Sequence, residues 1–324
     1  MSPNVLKTHA KLNRTGDQMP LVGFGTARIK ANETEEVIYN AIKVGYRLID
    51  GALLYGNEAE VGKGVRRAIQ DGLVKREELF IIGKLWNNFH GKDHVKEAFD
   101  VTLENYGLDY IDLYLIHFPI PAAYVNPREN LTFLNKDKEL PLENSPMQDC
   151  WREMEKLVEA GLVRNIGISN FNVQLIIDLL TYAKIRPAVL EIEHHPYLQQ
   201  KRLIDWAQKQ DLHIIAYSSF GNAVYTKVPK HLAHFTNLLK HPVVQKLAEK
   251  YKRDAGQIVL TWAVQRNITV IPKSVNVERM KTNLDITSYK LEEEDMEALY
   301  ELEANARFNQ PVVETFGVEL PIFE

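Results

Sequence analysis

Four side chains could together move a proton onto or off an oxygen. Asp50 closes an apolar run that begins at Tyr46, and Tyr55 follows in the next loop. Lys84 comes directly after Leu79-Phe80-Ile81-Ile82-Gly83, and His117 ends the run Leu113-Tyr114-Leu115-Ile116. Taken singly, Asp50 and Lys84 would more often form a buried ion pair, a histidine at a strand end is more often structural, and a loop tyrosine more often packs. Their placement at the same end of three consecutive strands favours joint chemistry. A phenol has a pKa of about 10, too high to donate and accept efficiently near neutrality. A lysine ammonium beside it favours the phenolate, so Lys84 is expected to lower the Tyr55 pKa. Asp50 would keep the lysine charged and in place, and a neutral His117 would orient a carbonyl oxygen against the tyrosine hydroxyl. Tyr55 is then the acid in reduction and the base in oxidation. Such a reaction also needs a hydride, which implies a nicotinamide.

The elements that must position these residues alternate along the chain. A hairpin arm is expected at Lys7 to Gly16, turning at Arg14-Thr15-Gly16-Asp17. Strands are expected at Leu21 to Gly25, Tyr46 to Asp50, Leu79 to Leu85, Ile111 to His117, Val163 to Ile168, Ala188 to Glu193, His213 to Tyr217 and Thr269 to Pro272. Amphipathic helices fall between them, and the runs are rich in Ile, Leu and Val, as strands buried on both faces are. Strict alternation gives a parallel sheet, and eight runs favour a (β/α)8 TIM barrel over a doubly wound sheet. A doubly wound sheet would carry G-x-G-x-x-G after its first strand. Here Gly23-Phe24-Gly25-Thr26-Ala27-Arg28 lacks the third glycine. The whole chain, 1–324, is read as one such domain, with an N-terminal hairpin and a C-terminal loop over the active site. The loops Pro119 to Pro146 and Gly221 to Leu238 and the tail from Asn305 should line the pocket; long irregular loops in a compact domain are often functional.

In a barrel the polar residues at the carboxyl ends of strands are the candidates for binding and catalysis. Ser169 and Asn170 suit a carboxamide, although Asn170 or Asn172 could equally cap the helix that starts at Val173. Tyr217 could stack on a planar ring. Lys273 and Arg279 flank a helix start, whose amides favour phosphate. Two cations there suit a doubly charged phosphate better than a neutral ribose hydroxyl, which argues for NADP(H). His194-His195 are adjacent and so point to opposite faces of a strand, a poor arrangement for one metal ion, and no metal is expected. No G-x-S-x-G elbow is present, and Cys150 lies within a helical pattern, so hydrolase nucleophiles are unsupported.

Composition narrows the classes further. The chain has 324 residues and a formal net charge of -4, which speaks against a nucleic-acid-binding surface. A single cysteine excludes an intramolecular disulfide framework and suits a reducing, cytoplasmic compartment. No apolar run approaches the roughly 20 residues of a membrane helix, so no membrane partner is expected. The expected partner is a small carbonyl or alcohol substrate, with the protein a monomer or homodimer.

These pieces in combination closely resemble the aldo-keto reductase family: Gly45-Tyr46-Arg47 through Asp50-Gly51-Ala52, Tyr55-Gly56-Asn57-Glu58, Lys84-Leu85-Trp86-Asn87, Leu115-Ile116-His117-Phe118-Pro119, Gly167-Ile168-Ser169-Asn170-Phe171 and Ile271-Pro272-Lys273-Ser274. The resemblance implies a (β/α)8 barrel that binds NADPH without a Rossmann domain. Asp50, Tyr55, Lys84 and His117 match the family's catalytic tetrad, Ser169 and Asn170 its carboxamide contacts, and Tyr217 its nicotinamide stack. Lys273, Ser274, Arg279 and Asn283 match its contacts to the adenosine phosphate end. Glu191 stands where the family usually has a glutamine against the carboxamide. The segments 84–90, 193–200 and Arg307-Phe308-Asn309 are similar to fungal xylose reductases, which makes Asn309 a pocket candidate. Against that branch, Thr26-Ala27 replaces a pocket tryptophan, Leu53-Leu54 replaces an acid before the tyrosine, and tail tryptophans are missing. With Ala27 and Leu54 at its mouth the pocket is expected to be wider and more apolar, suited to a lipophilic substrate such as 4-dihydromethyltrisporate, with D-xylose as the alternative. Each buried hydroxyl of a polyol left unpaired would cost roughly 1 to 3 kcal/mol. A non-catalytic NADPH-binding regulatory subunit is the alternative of a different class.

Overall fold

The computed structural model describes residues 5–129, 141–225, 230–310 and 320–323. Two antiparallel strands, β1 (His9–Lys11) and β2 (Gln18–Pro20), form a hairpin. They precede an eight-stranded parallel sheet ordered β3 to β10 along the chain: β3 (Phe24–Gly25), β4 (Leu48–Asp50), β5 (Phe80–Leu85), β6 (Ile111–Ile116), β7 (Val163–Ser169), β8 (Val189–Glu193), β9 (His213–Tyr217) and β10 (Thr269–Val270). The ends of the sheet meet. Val22 bridges Val270 in parallel, and the Gly23 amide donates to the Val270 carbonyl at 2.8 Å. The sheet is therefore a closed (β/α)8 barrel.

Helices cover its outside: α1 (Ala31–Val44), α2 (Glu58–Gln70), α3 (Val95–Tyr106), α4 (Met147–Glu159), α5 (Val173–Tyr182), α6 (Lys201–Lys209), α7 (Pro242–Tyr251), α8 (Ala255–Val264), α9 (Val277–Leu284) and α10 (Glu293–Tyr300). α1 turns an apolar stripe inward, formed by Val37, Ile38, Ala41 and Ile42, whereas α8 is buried from Gln257 to Val264. No helix among the described residues is long and apolar enough to cross a membrane.

The expected first strand is shorter than its apolar run. Only Phe24 and Gly25 join the ladder with β4, while Gln18–Pro20 belongs to the hairpin. The glycines of the Gly23-Phe24-Gly25 run serve barrel closure. A Cβ on Gly25 would lie 2.6 Å from the Ile271 carbonyl oxygen, and one on Gly23 2.2 Å from a Leu48 methyl. Tight strand packing, not a phosphate loop, requires them.

Side chains alternate in and out along each strand. The inward set includes Leu48, Phe80, Ile82, Leu113, Leu115, Val189, Ile215 and Ile271, a buried cluster closed off by Leu12 and Met19 of the hairpin. The hairpin is held to the amino-terminal end of the strands: Thr15 donates to Asn165 at 2.9 Å, and Asn165 donates to Asp17 at 2.8 Å. One inward position further along the strands, the cluster gives way to polar side chains: Leu48 to Asp50, Ile82 to Lys84, Leu115 to His117, Val189 to Glu191, Ile215 to Tyr217.

Candidate active site

Asp50, Lys84 and Glu191 meet at the carboxyl end of the barrel and are almost completely buried. Lys84 Nζ donates to Asp50 Oδ1 in a tight ion pair and to the Gly51 carbonyl at 3.2 Å, and lies 3.3 Å from Glu191 Oε1. Gly51 has to be glycine, because a Cβ there would lie 2.1 Å from the Tyr106 hydroxyl. That hydroxyl donates to the Ile82 carbonyl at 3.1 Å and fixes the strand that carries Lys84.

Tyr55 ends a short 3-10 turn, Leu53–Tyr55, closed by Gly56 at φ 65°. Its ring centroid is 5.4 Å from Lys84 Nζ and 5.7 Å from the His117 ring, edge to face. His117 lies one residue past the end of β6, held by its amide donating to the Leu85 carbonyl at 3.0 Å. The Trp86 ring stands against it, centroids 5.2 Å apart. All four residues of the expected set are thus brought together.

Their electrostatics depart from expectation at Tyr55. Burial is the largest influence and raises its pKa; Lys84 pulls the other way, and Asp50 and Glu191 push in the same direction as burial. The net direction is upward, which corrects the expectation of a lowered phenol: loss of water around the phenolate outweighs one ammonium already shared by two carboxyls. His117 is pushed well below the usual histidine range by burial and by Lys84, so its ring is neutral. For Lys84 burial opposes the charge, but Asp50, Glu191 and Tyr55 outweigh it and hold the ammonium. Burial and Asp50 push Glu191 up to about 8 against the pull of Lys84. Asp50 is also raised by burial, opposed by Lys84. One ammonium can balance only one carboxylate; Asp50 makes the tight bond, so Glu191 carries the proton near neutrality.

A second group lies beside this one. Ser169 at the end of β7 pairs in register with Glu191, and the Asn170 amide donates to the Glu191 carbonyl at 2.9 Å. Asn170 takes a left-handed backbone, φ 64°, and its side chain donates to the His117 carbonyl at 2.9 Å and to Ser169 at 3.0 Å. Tyr217 donates to Asn170 Oδ1 at 2.6 Å, and Asn309 donates to the Tyr217 hydroxyl at 3.0 Å. The cap of α5 is Asn172, which accepts from the Leu175 amide at 2.9 Å. Asn170 is therefore not committed to the helix.

A third group lies past β10. Ser274 and the cap Asn276, which accepts from the Arg279 amide at 2.9 Å, shape the start of α9. Lys273 and Arg279 are exposed beside it, and neither side chain makes an ion pair among the described residues. Asn283, on the next turn of α9, is buried.

Three residues whose positioning role the sequence does not announce hold these groups in place. Thr26 donates from its hydroxyl to the Asp50 carbonyl at 2.9 Å. Asn57 donates to the carbonyls of Thr26 and Ile29 at 3.0 and 3.1 Å, tying the Tyr55 turn to the loop after β3. Glu193 is fully buried and accepts from the amides of Phe308 and Asn309, both at 2.9 Å, and from His195 at 2.9 Å. It anchors the start of the tail beside Tyr217. His194 instead stacks on Trp262 and meets Arg266 at 3.0 Å, so the two adjacent histidines serve different neighbours.

Residues 21–304 match the model of the Aldo/keto reductase family. The chain belongs to that family. It is an oxidoreductase of carbonyl and alcohol groups. It is 52% identical over 316 residues, 97% of this chain and 98% of the other, to a protein named 4-dihydromethyl-trisporate dehydrogenase from Mucor mucedo. It is 49% identical over 316 residues, with the same shares covered, to an NAD(P)H-dependent D-xylose reductase from Aspergillus niger. The solved aldose reductase of Schistosoma japonicum superposes with a TM-score of 0.86 at 35% identity, covering 96% of this chain and 97% of that one.

At the expected pocket mouth one expectation changes. Leu53 is buried in the main core, so it cannot widen the mouth, whereas Leu54 and Ala27 are half-buried. Of the expected pocket loops, 130–140, 226–229 and 311–319 lie outside the described residues. The ends of the first loop are pinned to each other, with the Ala123 amide donating to the Pro141 carbonyl at 2.7 Å.

Proposed function

We propose that the protein is an NADP(H)-dependent aldo/keto reductase that interconverts a lipophilic ketone and its alcohol, of the type of 4-dihydromethyltrisporate, in the cytoplasm. The observation that carries the reading is the meeting of Tyr55, Lys84, Asp50 and His117 at one end of the barrel. The residues present fit the cofactor: Glu191 Oε2 is buried without a partner beside Ser169 and Asn170, and two exposed cations stand by the start of α9. When bound, the nicotinamide would supply or accept the hydride. Ser169, Asn170 and Glu191 would hold its carboxamide and Tyr217 its ring face. Lys273, Ser274, Arg279 and Asn283 would hold the phosphate end, where two cations favour the extra phosphate of NADP(H).

In this reading Tyr55 keeps its proton because burial disfavours the phenolate, and gives it to the carbonyl oxygen as that oxygen gains charge. Neutral His117 orients the oxygen. Lys84, held charged by Asp50, stabilises the phenolate left behind until the phenol takes a proton from solvent. The raised Tyr55 suits the reductive direction, in which the group must arrive protonated.

Leu54 and Ala27 support a lipophilic substrate, as does the identity to the Mucor mucedo dehydrogenase. One observation favours the second reading, reduction of D-xylose: Asn309 presents a polar group beside Tyr217. Comparing kcat/KM for D-xylose with that for bulky apolar ketones, with NADPH, decides between them. A higher value for the ketones is expected, and a clear preference for xylose would overturn the lipophilic assignment.

A further inference from the structure

Glu191 is an expensive residue to keep in this site. It sits two residues beyond Val189 of the dry inner cluster and is 2% exposed. Oε1 shares Lys84 with Asp50, and Oε2 is buried with no partner. A glutamine, with an amide in place of that oxygen, would leave the lysine one carboxylate and no charge conflict. The charged and titratable groups facing Glu191 are Asp50 from β4, Lys84 from β5, Tyr55 from the turn after β4 and Tyr217 from β9. His117, beyond β6, is neutral. Among them there is one cation, and Asp50 has it. An ionised Glu191 would leave the buried site with an excess negative charge, which a dry environment penalises strongly.

We infer that Glu191 distinguishes the two redox states of the cofactor, standing as a neutral acid beside NADPH and as a carboxylate beside NADP+. The inference rests on the proposed function, and it follows from charge balance. With the uncharged ring of NADPH the site is neutral only when Glu191 is protonated, and the acid would then offer the carboxamide both a donor and an acceptor, as an amide would. The oxidised ring brings one positive charge. Glu191 then loses its proton to solvent, and the carboxylate balances the ring. No bond other than the O–H bond breaks, and the electron pair stays on the carboxylate. Burial and Asp50 hold this carboxyl above the usual carboxylate range against the pull of Lys84. The sign follows: rising pH favours the form that binds NADP+, so NADP+ affinity gains on NADPH affinity as pH rises. The consequence is a product-retention term that grows in alkali during reduction and shrinks in acid.

The test is equilibrium binding of NADP+ and of NADPH to the full chain, by fluorescence and calorimetry, from pH 6.5 to 9.5. The ratio Kd(NADP+)/Kd(NADPH) is expected to fall about tenfold over that range, the change that follows when the charged ring lowers one acid by one pKa unit. Calorimetry at pH 7 in two buffers of different ionisation enthalpy should show NADP+ binding releasing more protons than NADPH binding, a difference to which the shared 2′-phosphate contributes equally and so cancels. In Glu191→Gln both cofactors should bind, with a pH-independent ratio and no difference in proton release. A flat ratio in the wild-type protein, or a slope that survives in Glu191→Gln, overturns the inference while leaving the enzyme assignment intact. Failure of NADPH to bind the wild-type protein overturns the proposed function itself. If Glu191→Gln does not fold, the proton difference in the wild-type protein decides alone: its absence rejects the inference.

Discussion

The two ends of the barrel interior are built from the same strands and behave as different materials. At the amino-terminal end Leu12, Met19, Leu48, Phe80 and Leu113 form a dry plug capped by the hairpin. One pleat further on, Asp50, Lys84 and Glu191 put three ionisable groups into equally little water. The first arrangement gains free energy by removing apolar surface from water. The second gives some of it up, because burying charges costs more than their attraction returns unless the geometry is close. A single inward step along each strand therefore separates the part of the sequence that holds the barrel closed from the part that can do chemistry.

The contrast can be broken from either side. The largest effect is expected at Lys84→Met, which leaves Asp50 and Glu191 without their cation. Turnover should fall by about 10² to 10⁴, and denaturant unfolding should show a loss of roughly 3 to 5 kcal/mol. At the other end, Met19→Ala should cost about 2 to 5 kcal/mol in the same unfolding experiment and leave kcat/KM unchanged. A kinetic defect there would mean the two ends are coupled.

Glu58 offers a third position, outside the barrel wall, where burial has raised a carboxyl to about 7 against the weaker pull of its Asn105 and Thr102 hydrogen bonds and of Lys84. The folded form holds this proton more tightly than the unfolded chain does. The proton therefore supports folding at acid pH, and stability falls as pH rises from about 4.5 to 7. Glu58→Gln should flatten that decline, worth at most about 3 kcal/mol, as read from unfolding midpoints between pH 4.5 and 8. The smallest effect is expected at the exposed rim. Lys273→Ala should weaken NADPH by about tenfold and NADH hardly at all, measured as separate dissociation constants. Equal losses would remove the phosphate assignment.

The fold was largely legible in the sequence because buried parallel strands read as unbroken Ile, Leu and Val runs. The site was legible where a polar residue ended such a run, as at Asp50, Lys84 and His117. Thr26, Asn57 and Glu193 escaped for a physical reason. Their partners are backbone groups supplied by distant segments, such as the Phe308 and Asn309 amides held by Glu193, and no spacing rule announces those. The available signals were the place of Asn57 in Tyr55-Gly56-Asn57-Glu58 and the position of Glu193, one inward step beyond Glu191. The direction of the Tyr55 pKa differs from expectation because a sequence shows that a lysine is nearby but not how fully the phenol loses water, nor that two carboxyls already share the lysine. Leu53 was misplaced because neighbouring residues in a 3-10 turn face different surroundings, one the core and the next the mouth.

The central claim is that the proton transferred in the reaction is held on the Tyr55 hydroxyl. Tyr55→Phe removes that one oxygen and keeps the ring against Lys84 and His117. Turnover measured beside the NADPH dissociation constant of the same protein is the most direct test. The account predicts a loss of turnover of about 10² to 10⁴ with cofactor affinity unchanged. Wild-type turnover in Tyr55→Phe, with NADPH bound as before, would contradict it.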